Sequence, residues 1–369
     1  ETTAETYIKE KAKHIFDLEN GPLMSLGFVK ISEEKNIFYY NLHHIISDGL
    51  SMHILSKNLI SFYHDYVRED TPQVQPLRIQ YKDYVAWQQA EIESKKSNEY
   101  HTMWKELFKE EIPRVRLPFE NKRPEKFTNI GNGIQFNLGK KCRDGLQQIS
   151  NTQEGSMYIT MIFLVKLLFH KYVGNKKIMV GSSFSTRTHS ELADQIGFYI
   201  NNLPLITDIE ETQTLENLYK AIKSHTFEIS SIPWYPLELL IDQISYKYDP
   251  SYSGLFNVLV EYHEDQVHDK NAKENSAFIK YFDNMPCQFD LSFEFHEHAK
   301  DIVCNILYNT SLFEKRHLEL FVSRFRNIAD QLTDFMEQFP QKQLHELQLD
   351  IEELPTFTPK KAISLEENF

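Results

Sequence analysis

The chain has 369 residues and a formal net charge of −13 at pH 7, from 53 acidic and 40 basic side chains. This length predicts two domains, and a hydrophobic content of 41% with 13% aromatic residues provides enough material for packed cores. A net negative charge repels a nucleic-acid backbone, and no long run of Lys or Arg offsets it, so we expect no nucleic-acid partner.

The cysteines and the apolar segments indicate the cellular compartment. Cys142, Cys287 and Cys304 are widely spaced and form no C-x-x-C pair, which favours free thiols over a disulfide scaffold. The longest apolar stretch, residues 161–173, contains Lys166 and is too short to span a bilayer. The first residues do not resemble a signal peptide. We therefore expect a soluble cytoplasmic protein without a membrane partner, and the start at Glu1 within a helical pattern suggests a fragment.

Hydrophobic periodicity predicts the elements of the first third of the chain. A helix over residues 4–15 is followed by a hairpin with strands at residues 23–31 and 36–42. Further helices are predicted at residues 51–66, 81–89 and 94–109. The best candidate for a linker is residues 117–126, a polar stretch with two prolines.

Beyond this linker, helices and strands alternate irregularly. The predicted strands are residues 134–138, 177–185, 256–262, 289–295 and 302–309, and the predicted helices are residues 141–150, 156–172 and 318–337. This pattern favours an α/β or α+β layered fold in two lobes. The predicted division is an amino-terminal lobe of residues 1–122, a carboxy-terminal lobe of residues 123–355, and a tail or linker of residues 356–369.

The stretch N-L-H-H-I-I-S-D-G-L-S, residues 41–51, follows the second strand of the hairpin. His43 and His44 end an apolar run, and Asp48 and Gly49 precede the next helix. Imidazole is the side chain best matched to proton transfer near neutral pH. A helix that begins near Leu50 offers backbone N–H groups to a developing negative charge, and glycine permits a tight turn before it.

Other interpretations of the two histidines are weaker. A pair of structural histidines is the simplest alternative. A metal site is disfavoured because adjacent residues on a strand point to opposite faces, and because no carboxylate triad accompanies the pair. A serine hydrolase is disfavoured because the sequence contains no G-x-S-x-G motif.

H-H-I-I-S-D-G fits the signature H-H-x-x-x-D-G and resembles that of the condensation domains of nonribosomal peptide synthetases. These belong to the chloramphenicol-acetyltransferase-like superfamily, in which wax-ester synthases and other acyltransferases also carry the signature. Further segments resemble condensation-domain blocks in the expected order, so the resemblance covers almost the whole chain. They are F-D-L-E-N-G-P-L, Y-K-D-Y-V-A-W-Q, V-G-S-S-F-S-T-R, I-G-F-Y-I-N-N-L-P-L, Y-D-P-S-Y-S-G-L-F-N and Q-F-D-L-S-F-E.

The sequence also departs from the family pattern. The family's first blocks, which precede the F-D-L segment, are absent, so the amino-terminal lobe is expected to be incomplete. Tyr252 and Gly254 stand where the family usually has Arg and Pro, and the segment 231–238 lacks the family's His-Gln pair. These changes leave the histidine motif intact.

The resemblance implies two chloramphenicol-acetyltransferase-like lobes in a V-shaped pseudo-dimer, with the active site at its floor. It implies that the chain joins a carrier-bound acyl or peptidyl thioester to the amine of a carrier-bound aminoacyl group. The expected partners are donor and acceptor peptidyl carrier proteins and adjacent synthetase domains. The carriers supply 4'-phosphopantetheine, so the chain itself is expected to bind no cofactor and no metal.

The resemblance also assigns roles to individual residues. His44 faces the tunnel between the lobes and holds or deprotonates the acceptor amine, whereas His43 points away and is structural. Asp48 pairs with a buried arginine, for which Arg187 is the candidate. Gly49 either donates its N–H to the oxyanion or serves the turn. Two further residues are structural at the site: Ser51 caps the helix, and Asn201 lies near the strand that borders the channel.

Three other functions remain open at this point. An epimerisation domain shares the histidine motif, although the I-G-F-Y-I-N-N-L-P-L block is of the condensation type; a heterocyclisation domain would carry D-x-x-x-x-D instead. An acyltransferase would use a free amine or alcohol as acceptor. A non-catalytic recruitment platform would keep the fold and bind another enzyme, and it would have no need of His44.

Overall fold

The computed structural model describes residues 2–72, 76–110, 112–244, 246–264, 285–298 and 301–348. Contacts divide the chain into two compact units. The first is Glu1–Tyr100 with Phe184–Asn201, and the second is His101–Ser183 with Asn202–Phe369, as far as these residues are described.

This division differs from the predicted boundary after residue 122 in two places. The segment that follows residue 100 belongs to the second unit, and its Trp104, Phe108 and Val115 side chains are buried. The segment 184–201 belongs to the first unit because its hydrogen bonds run to residues around Asp48. The predicted tail, residues 356–369, lies outside the described residues.

The first unit contains a hairpin and helices. Its elements are α1 (Thr2–Ala12), β1 (Met24–Lys30), β2 (Asn36–Leu42), α2 (Gly49–Val67) and α3 (Tyr81–Ile92), and α4 (Lys95–Leu107) begins in it. The strands β1 and β2 pair antiparallel with Gly27 opposite Tyr39. A side chain at position 27 would clash with the Tyr39 ring, since a Cβ there would lie 2.8 Å from its hydroxyl oxygen. Glycine at this position therefore leaves room for the Tyr39 ring to lie across β1.

Among its described residues, the second unit is built on a seven-stranded mixed sheet. Its strands are β3 (Ile130–Asn137), β4 (Lys177–Ser185), β5 (Ile200–Asp208), β6 (Val258–Glu264), β7 (Met285–Pro286), β8 (Leu291–His298) and β9 (Asp301–Asn309). Its helices are α5 (Lys140–Thr152), α6 (Met157–Val173), α7 (Leu215–Ser230), α8 (Leu237–Gln243) and α9 (Lys315–Asp334). The spatial order is β5-β4-β6-β8-β9-β3-β7. The strands β4, β6 and β8 are parallel, and β9 is antiparallel to both β8 and β3.

Helices cover one face of this sheet and form the core of the unit. Phe169 of α6 contacts Phe293 of β8 with ring centroids 5.8 Å apart, and Phe325 of α9 contacts Phe295 at 6.0 Å. Because side chains alternate along a strand, Ser292, Glu294 and His296 of β8 belong to the opposite face. The predicted α/β (α+β) fold class is confirmed.

Most predicted elements are present with small shifts at their ends. The sequence patterns did not indicate β5, α7 or α8.

Among the described residues, no single helix has the length and apolar character to cross a membrane. Only α5 and α6 taken together meet those two criteria, with a bend of 106° between them.

Lys166 lies in the apolar helix α6, where its side chain is fully enclosed. Its Nζ donates a hydrogen bond to Thr207 Oγ1 at 2.6 Å. Burial lowers the pKa of Lys166 from 10.5 to about 7, because an ammonium group loses its hydration in the interior. Below pH 7 Lys166 is charged in both the folded and the unfolded chain. The folded state then bears the full free-energy cost of burying the ammonium group.

We therefore predict that Lys166→Met raises the free energy of unfolding by about 1–4 kcal/mol at pH 7 and below. The gain should shrink as the pH rises from 7 towards 10.5, because the folded wild type sheds its proton there and the unfolded chain does not. Urea unfolding of both proteins between pH 6 and pH 10 measures this. The control is Lys140→Met at an exposed position, and an equal effect of the two variants would contradict the prediction.

Candidate functional site

The histidine motif begins one residue beyond β2. His43 precedes a short 3₁₀ turn, His44–Ile46, and its Nδ1 accepts a hydrogen bond from the Ile45 amide at 3.1 Å. The half-buried His43 ring also contacts the Phe16 ring, with centroids 6.0 Å apart. His43 therefore fixes the start of the turn.

The His44 side chain is exposed and contacts a different part of the unit. Its ring meets Phe198 in an edge-to-face arrangement, with centroids 5.4 Å apart and an interplanar angle of 80°. Strand alternation was the expected reason for the divergence of the two histidines, and this reason is wrong, because β2 ends at Leu42. The 3₁₀ turn gives the two rings different neighbours.

Asp48 is the N-cap of α2, and its side chain is only 1% exposed. Its Oδ1 accepts hydrogen bonds from the amide and the hydroxyl of Ser51, both at 2.7 Å. Its Oδ2 accepts a hydrogen bond from the Tyr199 amide at 3.1 Å. Arg187 Nη2 lies 3.1 Å from both carboxylate oxygens. The carboxylate is thus surrounded by donors, as a buried charge requires.

These donors decide the charge of Asp48. Burial alone would raise its pKa, but the hydrogen bonds from Ser51 and the positive charge of Arg187 outweigh burial and hold the pKa below its usual value. The side chain is therefore ionised at neutral pH. Its role is to hold the loop and not to donate a proton.

Arg187, the predicted partner of Asp48, is itself held on several sides. Its Nη1 donates hydrogen bonds to the carbonyl oxygens of Leu192 and Gln195. Its guanidinium carbon lies 4.0 Å from the centroid of the Tyr199 ring, a cation–π contact. The segment 184–201 is folded around this one side chain.

Ser51 does more than cap the helix. Its Oγ is fully buried and accepts hydrogen bonds from the Gly197 amide at 3.0 Å and from Arg187 Nη2 at 3.1 Å. Asp48, Ser51, Arg187 and Tyr199 together are called the Asp48 clamp below. Residues 43–48, between β2 and α2, are called the histidine loop below. The clamp connects the histidine loop to the segment that carries Phe198.

Tyrosines and a glutamine support the clamp. The Tyr81 hydroxyl donates a hydrogen bond to the Phe198 carbonyl at 3.0 Å, and the Tyr84 ring packs 4.8 Å from the Tyr199 ring. Tyr199 donates to Gln195 Oε1, and Gln195 Nε2 donates to the Ile79 carbonyl at 2.9 Å. The block Y-K-D-Y-V-A-W-Q thus packs against I-G-F-Y-I-N-N.

Position 197 requires glycine for steric reasons. A Cβ at Gly197 would lie 2.4 Å from the Tyr81 ring.

The contributions of Phe198 and Gln195 were not predicted from the sequence. The signal available in the sequence was the aromatic residues of the two blocks and their shared place in the resemblance.

Gly49 is the first residue of α2 and is exposed. Its φ angle is not in the left-handed region, so the turn before α2 does not use the wider conformational range that glycine permits. A Cβ would meet no atom within 4 Å. Among the described residues no acceptor is found for its N–H, as is usual in the first turn of a helix.

Asn201 is half-buried at the second position of β5.

The chain is similar to proteins of one family. The family model described as "Condensation domain" matches residues 1–349. A plipastatin synthase of Bacillus subtilis (strain 168) is 28% identical over 332 residues, which are 89% of this chain and 9% of that protein. Gramicidin S synthase 2 of Brevibacillus brevis is 28% identical over 318 residues, which are 86% of this chain and 7% of that protein. This chain therefore spans less than a tenth of the length of either relative.

Two solved structures share the fold. The X-domain from teicoplanin biosynthesis superposes with a TM-score of 0.80 at 17% identity, over 95% of this chain and 79% of that one. The first condensation domain of the calcium-dependent antibiotic synthetase, in complex with substrate analogue 2a, superposes with a TM-score of 0.72 at 14% identity. The match covers 95% of this chain and 77% of that one.

Because the family model matches nearly the whole chain, the chain belongs to the condensation-domain family.

The Asp48 clamp predicts strong coupling between its two charged members. Arg187→Met leaves the Asp48 carboxylate buried without its cation, and Asp48→Asn leaves the guanidinium without its anion. Each single variant should lower the free energy of unfolding by about 3–5 kcal/mol. The double variant should lose clearly less than the sum of the two losses, because no uncompensated charge remains. Urea unfolding of the four proteins measures the coupling, and additive losses would contradict it.

Proposed function

We propose that this chain forms an amide bond between a carrier-bound acyl or peptidyl thioester and the amine of a carrier-bound aminoacyl group. The observation that carries the proposal is the exposed His44 imidazole, held beside the Asp48 clamp in a chain of the condensation-domain family. The relatives named above support it, because they are by name synthases of plipastatin and of gramicidin S.

The reaction forms a carbon–nitrogen bond and an S–H bond, and it breaks a carbon–sulfur bond and an N–H bond. The acceptor nitrogen attacks the thioester carbonyl, the carbon–sulfur bond breaks, and the proton of the amine passes to the departing thiolate. His44 accepts that proton or orients the amine for attack, and proton transfer by a positioned imidazole contributes about 10²–10⁴-fold. Orientation alone also lowers the barrier strongly.

The Asp48 clamp serves this chemistry indirectly. It keeps the segment 184–201 against the histidine loop, and this segment presents Phe198 to the His44 ring. An aromatic contact of this kind contributes about 0.5–1.5 kcal/mol. Phe198 is therefore a positioning residue that limits the rotation of the imidazole.

Gly49 offers its amide to the oxyanion that forms when the thioester carbonyl is attacked. Its N–H lies at the beginning of α2, where the helix dipole favours negative charge. The open space around its Cα supports the approach of a ligand at this position.

The partners in this function are a donor and an acceptor peptidyl carrier protein, together with adjacent synthetase domains. Each carrier delivers its substrate on a 4'-phosphopantetheine arm, so the chain itself contributes only side chains and amides. A cytoplasmic location remains a prediction.

The proposal predicts that His44→Ala lowers the rate of transfer by at least about 10²-fold. Donor and acceptor carriers from the same locus are loaded and mixed with the protein, and intact mass spectrometry follows the gain of donor mass by the acceptor. His53→Ala is the matched control, because His53 is also an exposed histidine and lies within α2. It should transfer at the wild-type rate.

The outcomes separate the alternatives. Transfer to a free amine or alcohol without an acceptor carrier would favour the acyltransferase. A His44→Ala protein that retains its full function would contradict a catalytic role and favour the recruitment platform.

A second prediction concerns Gly49. Gly49→Ala should fold as the wild type does, because the added methyl group meets no protein atom within 4 Å. It should nevertheless lower the single-turnover transfer rate by about tenfold or more, because the methyl group obstructs the approach to the amide. Gly197→Ala is the contrast, since it clashes with Tyr81 and should lower stability. An unchanged transfer rate in Gly49→Ala would contradict the oxyanion role.

A further inference from the structure

The peptide group between Phe198 and Tyr199 is held at both of its polar ends. Its N–H, which belongs to Tyr199, donates a hydrogen bond to Asp48 Oδ2 at 3.1 Å. Its carbonyl oxygen, which belongs to Phe198, accepts a hydrogen bond from the Tyr81 hydroxyl at 3.0 Å. The N–H and C=O of a trans peptide point in opposite directions. Asp48 and Tyr81 therefore hold this peptide from opposite sides.

These contacts fix the direction of the Phe198 side chain. The amide of Gly197 donates a hydrogen bond to Ser51 Oγ at 3.0 Å, so the backbone is held before and after the Phe198 Cα. Only φ and ψ are soft along the backbone, and with its neighbours held the Phe198 Cα–Cβ bond keeps one direction. The Phe198 residue is 38% exposed, so side-chain packing alone leaves its ring room to move away from His44.

Tyr81 is itself held in place by its own helix and by aromatic packing. It is the first residue of α3, and the preceding Gln80 amide donates a hydrogen bond to Asp83 Oδ2 at 2.7 Å, which fixes the start of the helix. The Tyr81 ring meets the Tyr199 ring edge to face, with centroids 5.1 Å apart. The Tyr81 hydroxyl is therefore presented to the Phe198 carbonyl from a fixed position.

The Tyr81 hydroxyl keeps its proton at neutral pH. Burial raises the pKa of Tyr81, and the negative charge of Asp48 raises this pKa further, because both disfavour a phenolate. The hydroxyl is consequently available as a hydrogen-bond donor.

We propose that Tyr81 is a positioning residue for His44, which acts through Phe198 by fixing the peptide that directs the Phe198 ring onto the imidazole. The proposal deepens the proposed function and rests on it for the role of His44 in transfer. It adds a third part of the chain, the start of α3, to the histidine loop and the segment 184–201 as a determinant of the imidazole orientation.

Tyr81→Phe tests the hydroxyl alone, because it keeps the ring and its contacts with Tyr199 and Tyr84. The matched control is Tyr40→Phe. Tyr40 is also a half-buried tyrosine of the first unit, and its hydroxyl lies 2.8 Å from Ser56 Oγ. Each variant loses one hydroxyl hydrogen bond, so both should unfold at similar urea concentrations. A purely structural role of Tyr81 would give the two variants the same consequences.

The first measurement is NMR of the full chain and needs no catalysis. The Cε1–Hε1 resonance of His44, assigned by its absence in His44→Ala, reports the ring current of Phe198. Phe198→Leu gives the position of this resonance without that ring. Tyr81→Phe should move the resonance towards the Phe198→Leu position, and Tyr40→Phe should leave it at the wild-type position. An unmoved resonance in Tyr81→Phe, or an equal shift in Tyr40→Phe, would overturn the proposal.

The second measurement is the transfer between loaded carriers. Tyr81→Phe should lower kcat about two- to tenfold, the loss expected for one hydrogen bond, and leave KM for both carriers unchanged. Tyr40→Phe should transfer at the wild-type rate. A raised KM at unchanged kcat, or an unchanged kcat despite a moved resonance, would contradict the positioning role. If the wild type transfers nothing, the proposed function fails, and the NMR measurement still decides whether Tyr81 orients His44.

Discussion

The buried carboxylate of Asp48 is the constraint on which the first unit depends. A charge that is almost fully enclosed needs donors on every side. The chain next to Asp48 provides Ser51, and the other donors, Arg187 and the Tyr199 amide, come from residues 139 and 151 positions away. Satisfying one side chain therefore forces the segment 184–201 to pack against the histidine loop.

Neighbouring residues of the histidine motif have different structural roles. Asp48 faces inward and is ionised, His43 fixes the turn, and His44 is exposed with one face against Phe198. The imidazole is thus positioned by a loop that cannot move freely, yet it stays open to substrate. The buried ion pair of Asp48 and Arg187 therefore anchors the residues that carry the His44 imidazole of the proposed chemistry.

The sequence predicted those features that leave a local or a motif-level pattern. The long helix α6 and the strand β4 were predicted with nearly correct ends because each contains a cluster of apolar residues. The pairing of Asp48 with Arg187 was predicted from the family resemblance. The strand β5 was not predicted, because Asn201, Asn202 and Pro204 interrupt its apolar pattern. The contact of Phe198 with His44 depends on tertiary packing.

The most direct test of this account is the amide hydrogen exchange of Ser51 and Tyr199, the two residues whose N–H groups donate to the Asp48 carboxylate. The account predicts that both amides exchange slowly in the wild type and lose their protection together in Asp48→Asn, whereas the amide of Ile306 in the second unit is unchanged. Rapid exchange of Tyr199 in the wild type, or protection that survives Asp48→Asn, would contradict the claim that this carboxylate holds the histidine loop and the segment 184–201 together.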